Sequence, residues 1–317
     1  MYVGRVRRTC LVSACVVAAL LALISCGGTP TVPSPSPSPT PTPDPGPIVN
    51  NAPPVIIGFT VQGSRNNEPA SFADLSEEVV VTANVVDNET PIGNLKFNWT
   101  ASVGTFTGSG SKVTWKAPAS ATTPVLVTLN LEVVETYTSA GKSVDNKVTG
   151  STPVSLHDSA TEVGDMARQF LIDFSTSSLR DVTQIMRNFE PTCYGTADET
   201  SDVARNRTDF TIQAGWRVEA ASTTVNFGSF CPFRNRPGDA CAQVRTFWKS
   251  QANRDIFDSG GTLALHQGDV TTASGVDQVA AKYYKDQNRW RLCASDFNGD
   301  AVPQTSLRIL SLRGLLP

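Results

Sequence analysis

Four cysteines in the C-terminal half of the chain, Cys193, Cys231, Cys241 and Cys293, are the residues whose type and spacing most directly imply chemistry. Four thiolates could hold a zinc ion, but no Cys-x-x-Cys pair occurs among them. The other chemistry open to them is oxidation to two disulfides, for which three pairings exist. Cys231 and Cys241 bracket Pro-Phe-Arg-Asn-Arg-Pro-Gly-Asp-Ala, a turn-rich stretch short enough for a local bridge. Cys193 would then join Cys293 and tie distant segments together. Two disulfides and no metal are the expectation.

Other candidate groups are sparse. The chain has two histidines, His157 and His266, and His266 stands beside Gly268-Asp269. A histidine with a carboxylate neighbour can act as a general acid or base. Asp296, Asn298 and Asp300 place oxygen donors at the first, third and fifth positions of a calcium-type loop. Ala301 then stands where such a loop needs glycine, and Leu307 where it needs a bidentate glutamate, so a solvated turn is expected instead. No Gly-x-Ser-x-Gly, His-Glu-x-x-His or glycine-rich phosphate loop occurs. The formal charge is −3 and no basic stripe is visible, which removes the electrostatic case for nucleic acid. No cofactor is expected.

The elements that must position these residues begin with an address. Arg5, Arg7 and Arg8 precede an apolar run from Leu11 to Ile24, and Ser25 lies directly before Cys26. A basic n-region, an apolar h-region and a small-residue cleavage site make a signal peptide over residues 1–25. The box Leu23-Ile24-Ser25-Cys26 resembles that of bacterial lipoproteins. The resemblance implies that Cys26 carries acyl groups such as palmitate and is the first residue of the mature chain. Membrane attachment through Cys26, and a place in the cell envelope, follow from it. Gly27 rather than Asp after the cysteine implies, by the same resemblance, sorting to the outer membrane. An exported chain also favours oxidised cysteines. Residues 26–54 alternate proline with Ser, Thr, Asp and Gly from Pro33 to Pro47. Proline fixes φ and removes a donor, so this linker should be extended polyproline II.

Residues 55–157 read as strand after strand. Val79, Val81, Ala83 and Val85 alternate with Val80, Thr82, Asn84 and Val86, and the same period of two recurs at Leu95, Phe97 and Trp99, then Val113 and Trp115, then Val125 through Val133. Turn-forming breaks at 87–91 and 108–110 separate them, and about seven short strands in this length make a two-sheet β-sandwich. The segments Leu95–Trp99, Gly104–Gly108 and Val113–Pro118 resemble bacterial immunoglobulin-like, or PKD-like, modules. That resemblance implies a spacer or adhesive unit and no activity.

Beyond His157 the apolar period becomes helical. Val163, Met166, Ala167, Phe170 and Phe174 define a first helix, opened by Ser159-x-x-Glu162 as a capping box. A second helix is predicted from Leu179 to Phe189 and a third from Asp198 to Arg207. Strands follow over 216–226, 242–249, 276–285 and 289–293, with Asp286-Gln287-Asn288 turning between the last two. Helices first and strands afterwards predict an α+β domain over residues 158–317. The order resembles the NTF2-like superfamily, whose cone-shaped fold implies a pocket. His266, Trp216, Trp248, Tyr283 and Trp290 are the residues that could line it. The leading expectation is a lipid-anchored envelope protein with a non-catalytic adhesion, scaffolding or ligand-binding role. The alternative is a small-molecule binder or enzyme that uses the cone.

Overall fold

The alternation between Val55 and His157 resolves into strands whose apolar sides all turn inward. The computed structural model describes residue 44 and residues 46–176 and 181–302. The signal peptide, Cys26 and most of the linker lie outside the described residues. The first strands are β1 (Val55–Gln62), β2 (Phe72–Asp74), β3 (Glu78–Val86), β4 (Lys96–Ala101), β5 (Thr105–Thr107) and β6 (Lys112–Lys116). Two long strands, β7 (Val125–Ser139) and β8 (Lys142–His157), complete the set. They form two four-stranded sheets, ordered β1-β3-β6-β5 and β2-β8-β7-β4. Val79, Val81, Val113 and Trp115 of the first sheet pack against Val127, Leu129, Val154 and Leu156 of the second. The Trp115 indole N–H donates to the Val103 carbonyl at 3.1 Å, so the largest inward side chain leaves no orphaned donor.

The β7–β8 hairpin runs from the Val125–Leu156 pair out to Ser139–Lys142. Its turn, Ala140-Gly141, takes positive φ at both residues, as the twist of a two-residue hairpin requires. The last part of the expected linker docks on this ribbon. The Val49 amide donates to Ser139 Oγ at 3.0 Å, and the Ala140 amide to the Pro47 carbonyl at 2.9 Å. Glu135 is fully buried in β7 and accepts from Asn51, Thr90 and Asn146. A carboxylate can be buried there because three donors converge on it.

Helix α1 (Ser159–Ser175) follows β8 with one residue between them. The cap differs from expectation by one position. Asp158 is the N-cap and accepts from the Thr161 amide, which frees Ser159 and Glu162 for other partners. The second predicted helix is only one turn, α2 (Val182–Ile185), with a full capping box between Asp181 and Gln184. The third is α3 (Thr196–Asp209), slightly longer than its sequence suggested.

The remaining strands are β9 (Phe210–Ile212), β10 (Arg217–Cys231), β11 (Arg236–Ala252), β12 (Ile256–Phe257), β13 (Leu263–Leu265), β14 (Val270–Tyr284) and β15 (Arg289–Val302). An antiparallel sheet in the order β10-β11-β14-β15 carries β9 on the end of β11. Helix α1 lies on this sheet and comes close at Gly164, where an added Cβ would stand 3.1 Å from Thr223 Oγ1. The result is a mostly β molecule with an α+β second half. The described residues from 46 to 302 fall in one compact unit.

Two expectations about the C-terminal segment are corrected here. Residues 296–300 are not a turn. They continue β15 against β14, with Asp296 opposite Gln278, Asn298 opposite Val276 and Asp300 opposite Ser274. Extended backbone cannot wrap an ion as a calcium loop does. The Asp296 carboxylate instead faces Arg236 at 3.2 Å and Arg234 at 3.6 Å. Of the two expected disulfides, Cys193–Cys293 is bonded, whereas Cys231 and Cys241 stand as thiols. Cys241 lies opposite Thr224 and Cys231 opposite Arg236, so the hairpin does not set them directly against each other.

Candidate functional site

The pocket expected for the cone is filled. Phe170, Phe174, Phe227, Val244, Trp248 and Trp290 interdigitate between α1 and the sheet, each buried. Of the five residues proposed to line it, four join this packed core and His266 stands apart. Trp248 packs edge-on against Phe174 with ring centroids 5.7 Å apart, deep in the core. Trp216 precedes β10 and rests half-buried against that core. His266 stands exposed on the turn before β14, with Nδ1 3.7 Å from Asp255 and its amide donating to Asp269. Tyr283 and Trp290 pack on each other at the edge of that core, where both also meet Phe72 of the sandwich.

That meeting place holds an array of chemically suggestive groups. Strand β2 is three residues long and pairs in parallel with the end of β8, setting Phe72 beside Ser155 and Asp74 beside His157. Ser155 Oγ is 2.8 Å from His157 Nε2, and His157 Nδ1 is 2.8 Å from Glu162 Oε2. Glu162 is anchored in turn by the Asp158 amide, 3.1 Å from Oε1. Serine, histidine and a carboxylate in this order are the ingredients of a nucleophilic triad.

The surroundings assign them a different task. His157 is 0% exposed and Ser155 7%. The His157 ring is stacked on Phe72 with centroids 5.0 Å apart and planes 7° from parallel, and the Tyr283 ring closes its edge. Ser155 donates to Asn288 Oδ1, and the Tyr283 hydroxyl donates to the same oxygen at 2.9 Å. A triad serine must give its proton to the imidazole from an exposed position, usually a strained turn. Here it lies inside a regular strand, committed to the β14–β15 turn. These hydrogen bonds join β8, α1 and that turn.

A second cluster continues the clamp. Asp74 Oδ1 accepts from the Ser159 amide at 2.9 Å and its hydroxyl at 2.6 Å, while the Trp290 indole donates to Ser159 Oγ at 3.1 Å. Asp74 Oδ2 accepts from Arg65 at 2.6 Å. The same guanidinium meets Glu68 at 2.5 Å and Glu77 at 2.8 Å, and lies 5.1 Å from the Phe227 ring centre in β10. One cation thus faces three carboxylates. Burial pushes the Glu77 carboxyl up to about 7, with the Glu68 charge adding to the effect against the Asp74 amide and Arg65.

The sequence did not single out Ser155, Asp74 or Arg65, and marked Glu162 only as a capping-box residue. The available signal was the end of β8, where Val154, Ser155, Leu156 and His157 are all buried in succession. A strand covered on both faces by its own sheet partner and by a second module loses its alternation.

Open clefts lie on other surfaces. One of about 270 Å³ at the β10–β11 hairpin includes Cys231, Cys241 and Gln243. Another of about 430 Å³ is lined by Asp198, Arg205, Arg234, Arg236 and Asp296. Among the described residues no helix is long and apolar enough to cross a membrane. Comparison with protein-family models, curated proteins and solved structures finds no match to this chain.

Proposed function

We propose that this chain is a non-catalytic, lipid-anchored protein of the cell envelope. In this reading Cys26 carries the anchor and residues 27–46 tether an immunoglobulin-like sandwich fused to an NTF2-like α+β module. Its role is adhesion, scaffolding or display of an outer binding surface, and its attachment is to the outer membrane. The observation that carries the non-catalytic part is the filled interior of the α+β half, where Phe170, Trp248 and Trp290 occupy the volume a substrate would need. The sealed Ser155–His157–Glu162 array supports the same conclusion. The Leu-Ile-Ser-Cys box and the basic, apolar leader support the anchor.

Two measurements test the proposal separately. Cys26→Ala should move the protein from the membrane fraction to the soluble fraction and abolish labelling by an alkynyl palmitate analogue. Membrane association that survives the substitution overturns the anchor. A fluorophosphonate probe should leave Ser155 unmodified in the native protein. Labelling that disappears in Ser155→Ala would make the array a hydrolase site and overturn the non-catalytic reading.

A further inference from the structure

The outer face of the β10–β11 hairpin brings two thiols into one cleft. Ala240 and Ala242 point into the core beneath α1, so Cys241, between them, points the other way. The β10–β11 register slips between Val225 and Ser229. Beyond that slip Phe230, Cys231 and Pro232 border the same cleft of about 270 Å³ as Thr224 and Cys241. Cys231 Sγ lies 3.8 Å from the carbonyl of Ala240, the residue just before Cys241. Contact with the Cys241 thiol, then burial, raises the Cys231 thiol far above the ordinary range, because two adjacent thiolates cannot both hold their charge there.

We propose that Cys231 and Cys241 form a binding site for a soft monovalent cation with the chemistry of copper(I), held between two thiolates. Softness follows from the sulfur donors. A low coordination number follows from the rest of the site. No group of three or more Cys, His, Asp or Glu side chains converges among the described residues, so tetrahedral zinc lacks its ligands. Binding exchanges two S–H protons for one cation, with no change of oxidation state. The cation offsets the repulsion between two thiolates brought together in one cleft. The cleft opens to solvent, which supplies an entry path and takes the protons. Asp296, whose charge also raises the Cys231 thiol, is held in an ion pair by Arg236 at 3.2 Å.

The test is an anaerobic titration of the full chain with copper(I) in competition with bicinchoninate. One equivalent should leave the chelator, and both thiols should become protected from maleimide. Cys231→Ser and Cys241→Ser should each weaken uptake at least about tenfold, while mass spectrometry shows Cys193–Cys293 still bonded and circular dichroism an unchanged fold. Three results overturn the proposal. They are no transfer from the chelator, transfer undiminished in both serine variants, and isolation of the protein with Cys231 bonded to Cys241.

Discussion

Burial alone would raise the pKa of Glu162, yet its carboxyl is held below the usual value by hydrogen bonding and charge from His157 and by the Asp158 amide. A carboxyl whose pKa is lower in the folded chain adds stability above the unfolded value, ordinarily 4.5, and loses it as pH falls through the folded value. Glu162→Gln should therefore flatten the acid limb of the stability curve. The variant should be less stable by on the order of 1 kcal/mol near neutral pH and should converge on the parent at about pH 3. Calorimetric Tm against pH measures this, and parallel curves would sink the assignment. Glu77 carries the opposite sign. Its folded pKa is raised, so its contribution is present below 4.5 and is lost as pH rises through about 7. Glu77→Gln should stabilise the protein by about 1–2 kcal/mol at about pH 8 and by much less at about pH 4. Urea unfolding at the two pH values separates these outcomes, and an equal effect at both would contradict a Glu77 carboxyl raised by burial.

At the scale of elements, the legibility of the sequence followed the locality of the signal. Strands β3, β4, β6 and β7 were readable because one face of each is buried and the alternation survives. Helix α1 was readable for the matching reason, as its apolar stripe meets a single sheet. Strand β2 was not. It has three residues, no room for a period, and a parallel partner more than eighty positions away in β8. The strand at 296–300 was read as a turn because Asp, Asn and Gly favour turns locally, and pairing with β14 overrode that preference. The pocket failed for a related reason. Tryptophans on strands look alike in sequence whether they line a cavity or fill it. Phe72 shows what the unread element contributes. It belongs to a sandwich strand, is 1% exposed, and packs on His157, Phe227 and Tyr283 of the neighbouring layers. Phe72→Ala should cost about 3–5 kcal/mol. It should also weaken hydrogen-exchange protection in β10 and β15 as well as in β8. Loss confined to the sandwich would show that Phe72 is not a shared core residue. The Cys193–Cys293 bond ties the segment after α2 to β15 across 100 residues of sequence. On the chain-entropy model, reduction should lower stability by up to about 4.7 kcal/mol. Unfolding with and without a reductant, in a Cys231→Ser/Cys241→Ser background, isolates that contribution.

For the molecule as a whole, the decisive feature is that the two halves are not beads on a string. Domains joined by flexible linkers share few contacts and unfold independently. Here β8 passes into α1 through Asp158 alone, and the junction combines an aromatic cluster with two polar ones. The buried charge at its centre makes the coupling strong. Arg65 is the partner of Glu68, whose side chain is fully buried, and its removal leaves that carboxylate uncompensated. Breaking one side of a buried pair costs about 3–5 kcal/mol. Tryptophans report each half, Trp99 and Trp115 in the sandwich, and Trp216, Trp248 and Trp290 in the α+β half. Variants that keep reporters in one half only, by Trp→Phe at the others, should give urea midpoints that coincide within about a tenth of their value. Arg65→Ala in the same backgrounds should lower both midpoints and separate them, because it removes charge compensation on the sandwich side and the guanidinium over Phe227 on the other. Midpoints already separate in the parent protein would mean that the junction packs the halves together without joining their folding. A common midpoint that survives Arg65→Ala would shift the coupling from the charge clamp to the aromatic cluster around Phe72.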